Sequence, residues 1–183
     1  MSYLRTEPAT EREFPPFEGV LKRNGFIPNL FRYQGDRLEL IPPQLALGGM
    51  ILHYAGALER RQKECIFIAV SARNLSTYCV VAHCEMARTL KLEGFDPEQI
   101  AIDHTVAKIP LRDKALINFA LKLNSAPNEL SQDDVDRLRT FGFSDAHIQE
   151  AILVTAMARS ANTISFGLGT QPDFENERID YRK

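Results

Sequence analysis

Cys79, with His83 four residues after it and Glu64 fifteen residues before it, puts a thiol, a base and an acid into one short stretch of chain. Asn74 follows a helical run and reads as the left-handed end of a helix, while Ser76 is a preferred N-cap for the next one. Cys79 then falls in a first helical turn, where unpaired backbone N–H groups and the positive dipole end favour a thiolate. A thiolate is the nucleophile that attacks an O–O bond and is left as sulfenic acid. At about 100° per residue, positions 76, 79 and 83 share one helix face, with His83 a turn above the sulfur. An imidazole there can take the thiol proton and return it to the leaving group; a core histidine held by a hydrogen bond fits the same position. Glu64 heads the apolar run Cys65 to Val70. Its carboxylate is either solvated and dipole-stabilised at a helix start, or buried with a raised pKa that suits proton exchange. Tyr78 reads as packing, or as a side chain that orients a substrate and closes a pocket.

The segment from Glu64 through Arg73, and on from Asn74 to His83, resembles the core of the AhpD-like, carboxymuconolactone decarboxylase superfamily. In that family a Glu, a Cys-x-x-Cys pair and a downstream His form a redox site. Flanking landmarks narrow the resemblance to the peroxidase-related branch: Ile27-Pro-Asn-Leu-Phe31, Leu111-Arg-Asp-Lys-Ala-Leu116 and Gly142-Phe-Ser-Asp145, so that it spans roughly residues 20 to 170. The resemblance implies an all-α fold of helical hairpins, association into dimers, trimers or hexamers, and Glu64 as the acid that exchanges a proton with the site through water. Two departures stand out. Ser76 occupies the place of the first cysteine, whose role in redox-active relatives is to close a disulfide, and Asn162-Thr163 stands where relatives often have Asn-Arg.

No other thiol substitutes for the missing cysteine. Cys84 is five residues beyond Cys79, hence about 140° around the helix and too far along it to bridge. Cys65 points roughly 100° away from Glu64. Both read as buried free cysteines. His53 and His104 are isolated and His147 lies near a helix start, so no set of residues has zinc spacing, and haem, flavin and nucleotide signatures are absent. No cofactor or metal is expected.

A chain of 183 residues with net charge −2 suits one domain and shows no basic stripe for nucleic acid. It has no apolar run of about eighteen residues and no leader pattern at Met1, which predicts neither a membrane span nor export. Three cysteines without framework spacing suit a reducing, cytoplasmic compartment. Residues 1–19 read as an N-terminal arm and 20–183 as a single helical domain. Apolar periodicity between Gly and Pro marks predicts helices over 17–24, 29–36, 42–57, 60–73, 76–93, 96–106, 111–125, 131–141, 144–157 and 159–167. Ser131, Ser144 and the pair Asp96-Pro97 mark three of their starts. Residues 64–73 align without gaps on 150–159, an echo that suggests a duplicated helical unit.

Three functions compete at this stage. The first is a thiol-dependent peroxidase-like antioxidant enzyme reducing hydrogen peroxide or organic hydroperoxides at Cys79, with an external thiol or dithiol as reductant because Ser76 cannot resolve the oxidised sulfur. The second is a decarboxylase-type lyase that uses His83 and Glu64 and leaves Cys79 idle. The third is a non-catalytic oligomeric scaffold.

Overall fold

The structure, a computed structural model, describes residues 3–4, 9–10 and 16–174. Most of the arm expected over 1–19 lies outside the described residues. Its described parts are held to the body: the Tyr3 amide donates to the Leu168 carbonyl, Ala9 pairs with Arg32, and Phe17 is fully buried. Among the described residues every regular element is helical and no strand is present. The order is α1 (Pro16–Asn24), α2 (Asn29–Arg32), a 3₁₀ segment (Gly35–Leu40), α3 (Ile41–Gly48), a π turn (Gly49–His53), α4 (Arg60–Arg73), α5 (Thr77–Thr89), α6 (Pro97–Asp103), α7 (Leu111–Ser125), α8 (Gln132–Thr140) and α9 (Asp145–Leu168). A short 3₁₀ turn, Pro127–Glu129, joins α7 to α8.

The central element is α4, whose residues from Gln62 to Ala72 are all buried. A helix buried on every side needs neighbours all round, and α5, α6, α7 and α9 supply them. Polar side chains on such a helix must find partners inside. Gln62 donates to Asp113 at 2.7 Å, Lys63 reaches the Tyr54 carbonyl and Glu150, and the Ser71 hydroxyl accepts from Asn162 at 3.0 Å. Glu150, from the echo segment, accepts from the amides of Ala57 and Leu58 just before α4. The two segments of the echo therefore pack face to face, α4 against α9.

The expected caps are present: Asp96 accepts from the amides of Glu98 and Gln99, and Ser131 and Ser144 each open a helix with a reciprocal capping box. Besides the predicted helix 29–36, which ends at Arg32 and gives way to the 3₁₀ segment Gly35–Leu40, four boundaries differ from the sequence expectation. Residues 144–167 form one helix instead of two, because nothing between Asp145 and Phe166 breaks it; it ends where Gly169 turns left-handed at φ 63°. The predicted helix 42–57 ends at His53, after a π turn, and Tyr54 is extended. The third difference is α5, which stops at Thr89, with Lys91 at φ 51° and the Leu92 amide folded back on Ala87. Helix α6 stops at Asp103, whose carboxylate accepts from the Thr105 amide. No described helix is long and apolar enough to cross a membrane.

Candidate active site

The turn between α4 and α5 fixes the site. Asn74 is right-handed, contrary to expectation, and Leu75 carries the left-handed conformation at φ 60°. The reason is that the Asn74 side chain is used elsewhere: it exchanges hydrogen bonds with Asn124 and donates to Asn162 at 2.8 Å. Ser76 stands at the N-cap position, but its hydroxyl makes no cap bond and instead lies 3.1 Å from the Ser165 hydroxyl on α9. Its buried side chain thus ties α5 to α9.

Cys79 sits in the first turn of α5, as expected, yet it is only 2 % exposed. Its sulfur lies 3.8 Å from the Ser165 hydroxyl. Burial pushes the thiol up, while hydrogen bonding from Ser76, Asn162 and Ser165 works in the other direction. The first-turn dipole therefore does not make this a resting thiolate, which corrects the sequence expectation. Cys65 and Cys84 are free and buried, and burial pushes each up to about 12.

Glu64 and His83 meet directly. His83 Nδ1 is 2.7 Å from Glu64 Oε2, and the imidazole stacks on Phe67 with centroids 3.6 Å apart. Glu64 is completely buried, which overturns the solvated reading of its position. Burial opposes its ionisation, but His83 and Arg60 outweigh burial and hold the carboxyl below its usual range. The raised pKa considered from sequence is thus reversed in sign. Arg60, one turn earlier on α4, places Nε 2.7 Å and Nη2 2.6 Å from Glu64 Oε1. The remaining nitrogen, Nη1, lies 2.8 Å from His53 Nδ1.

His83 and Cys79 share the face of α5 that the spacing predicts, but no hydrogen bond joins them. With Nδ1 on Glu64, Nε2 is the ring nitrogen left for exchange. Tyr78 is a fastening point: its hydroxyl donates to Asp173 at 2.7 Å and accepts from the Leu30 amide, while Asp173 also accepts from the Asn29 amide. The segment after α9 is thereby held across α2 and the start of α5. Sequence reasoning missed Arg60, Ser165 and Asp173. Arg60 was legible, since a cation four residues from an acid on one helix faces it; Ser165 and Asp173 carried no local signal. Among the described residues no cluster of His, Cys, Asp or Glu has the grouping to hold a metal ion.

No family model matches the sequence, and no curated protein matches it. Solved structures do. An uncharacterized peroxidase-related protein with an alkylhydroperoxidase AhpD core, from Ralstonia eutropha JMP134, superposes with a TM-score of 0.85 at 28% identity, over 94% of this chain and 92% of that one. An uncharacterized peroxidase-related protein from Silicibacter sp. TM1040 gives 0.83 at 25% identity, over 94% and 92%. The debrominase Bmp8, solved as a cysteine-to-alanine variant with 2,3,4-tribromopyrrole, shares the fold with a TM-score of 0.78 at 18% identity, over 94% of each chain. The chain shares this helical architecture with AhpD-core proteins over nearly its whole length, so its fold is the AhpD-like all-α fold.

Proposed function

We propose that the protein is a thiol-dependent oxidoreductase of the peroxidase type, with Cys79 as the attacking sulfur, His83 as its base and then acid, and Glu64 as the anion that orients His83. The observation that carries this reading is the fully buried carboxylate paired with an imidazole one helical turn from a thiol. Burying that charge is costly and a hydrophobic core gains nothing by it. The raised thiol also makes a base necessary, because the sulfur must lose its proton as the substrate reacts.

In the resting tautomer that this geometry favours, Nδ1–H donates to Glu64 and Nε2 is bare. The Cys79 proton passes to Nε2, and the sulfur attacks the outer peroxide oxygen. The O–O bond breaks, and the departing alkoxide or hydroxide takes the proton from Nε2–H. This leaves Cys79 as sulfenic acid and releases an alcohol or water. One external thiol condenses with the sulfenic acid, expelling water and forming a mixed disulfide; a second thiol frees Cys79 and leaves as a disulfide. A reducing cytoplasm supplies such thiols, which is where this reading places the protein. Tyr78 serves it by holding the segment after α9 and the α2 backbone to the start of α5, the helix that carries the sulfur. The lyase alternative would use the same dyad without the thiol.

The test is consumption of hydrogen peroxide and an organic hydroperoxide with a small thiol present. Loss of turnover in Cys79→Ser but not in Cys65→Ser or Cys84→Ser is the expected result, with oxidation mapped to Cys79 by mass spectrometry. Full turnover in Cys79→Ser would sink the proposal. Debromination of a bromopyrrole with no peroxide consumption would move the reaction to halide removal at the same sulfur.

The same reading includes a homo-oligomer. Leu47, Met50 and Tyr54 around the π turn are more than half exposed, and Ile152 and Leu153 are exposed on α9, against which that turn packs. These exposed apolar side chains, on two elements that pack together, are the surface this reading assigns to a second copy. Sedimentation should give a multiple of the 20.7 kDa chain mass; a monomer mass at micromolar concentration would remove this part.

A further inference from the structure

The charges around the dyad do not balance without Arg60. Glu64 is completely buried, and its two oxygens are divided between partners: Oε2 faces His83 Nδ1, and Oε1 accepts from Nε of Arg60, with Nη2 of the same guanidinium 2.6 Å away in the ion pair. The other charged groups packed around α4 form ion pairs of their own. Arg61 pairs with Asp113 on α7, and Lys63 pairs with Glu150 on α9. From the π turn, His53 Nδ1 lies 2.8 Å from Nη1 of Arg60. On α5 the only titratable partner of Glu64 is His83, and the neighbouring Cys65 is a thiol. Among the described residues, Arg60 is the cation that pairs with the Glu64 carboxylate apart from a protonated His83.

We infer that Arg60 is a positioning residue that keeps His83 Nε2 free of a proton, by supplying the permanent charge that Glu64 would otherwise draw from solvent. The reasoning is a proton count. With Arg60 present, Glu64 is neutralised and the dyad needs one proton, on Nδ1, donated to Oε2. Without Arg60, a buried anion remains, and the least costly correction is a second proton. That proton has two placements. Either the ring becomes imidazolium beside carboxylate, or Glu64 becomes an acid that donates to Nδ1 while Nε2 carries the hydrogen. Nε2 is protonated in both, so the base is lost whichever placement wins. This deepens the proposed function by naming what holds its base ready, but it concerns the resting protein and needs no substrate.

The experiment is histidine ¹⁵N labelling and long-range ¹H–¹⁵N correlation at pH 7, without peroxide, with His83→Gln used to assign the ring. Wild type should show His83 with a bare Nε2 and a protonated Nδ1. Arg60→Met should show a protonated Nε2, and Arg60→Lys should return the wild-type pattern, because it restores the charge. Arg60→Gln keeps a donor without charge and should behave like Arg60→Met; it carries the test if Arg60→Met fails to fold. A bare Nε2 in a folded, uncharged Arg60 variant would overturn the inference. A protonated Nε2 in wild type would do the same. Peroxide turnover is measured separately, so the peroxidase reading can fail while this pattern holds, or survive if it does not.

Discussion

Replacing Glu64 by Ala should cost about 3–5 kcal/mol of folding stability and remove activity, a larger effect than any exposed acid on this chain can have. The variant strands the Arg60 guanidinium, whose side chain is only 20 % exposed, and leaves His83 Nδ1 without its acceptor. Glu64→Gln separates charge from shape, since it fills the same space and can still accept one hydrogen bond. Turnover there should fall by about 10²-fold or more, the usual worth of a general base that has lost its orientation. The pH dependence has a definite sign. The folded carboxyl lies below its unfolded range, so the stability that ionised Glu64 contributes is present above about pH 4.3 and is lost as pH falls through the folded value. In urea unfolding, the gap between wild type and Glu64→Gln should therefore be widest near neutrality and narrow in acid. A gap that widens as pH falls would mean that Glu64 is protonated in the fold, and the charge assignment for the whole site would be wrong.

The helical class and the boundaries of α4 and α7 were legible because the apolar spacing is unbroken through each, and Pro110 marks the start of α7. That Glu64 belongs to the site came only from family spacing, which had it reach the site through water; its direct contact with His83 was not legible, since the residues lie on different helices and periodicity carries no information about which faces meet. What the sequence hid was burial. Cys79 occupies a first helical turn, the position that lowers a thiol pKa on an exposed helix, but packing by α9 removes the solvent on which that argument depends. Glu64 was hidden in the opposite sense: an acid beside an apolar run suggests desolvation and a raised pKa, and the compensating Arg60 reverses it. Ser76 shows the same limit at a single hydroxyl. Its cap role follows from local rules, yet Ser165, 89 residues away, takes the hydrogen bond.

Ser76→Cys should convert the single-thiol site into one that closes a reversible disulfide with Cys79. Positions three apart at a helix start have Cα atoms about 5–6 Å apart, inside the range that a disulfide spans. The substitution removes no cap bond, because the Ser76 hydroxyl makes none; the loss is its contact with Ser165, worth about 1 kcal/mol. The new thiol would replace a hydroxyl that is already 1 % exposed and on the Cys79 side of the helix, so the partner is in place without opening the core. After one equivalent of peroxide, mass spectrometry should find the 76–79 linkage in the variant and only sulfenic acid or a mixed disulfide in wild type. No link to Cys84 is expected, since it lies five residues on along α5. Turnover with a dithiol should rise in the variant and vanish in Ser76→Cys/Cys79→Ser, because the second sulfur can resolve an oxidised Cys79 but has no contact with the His83 base of its own. A disulfide that forms while the variant stays inert to peroxide, together with a wild type that processes a lactone acid, would transfer the dyad to lyase chemistry and leave Cys79 a bystander.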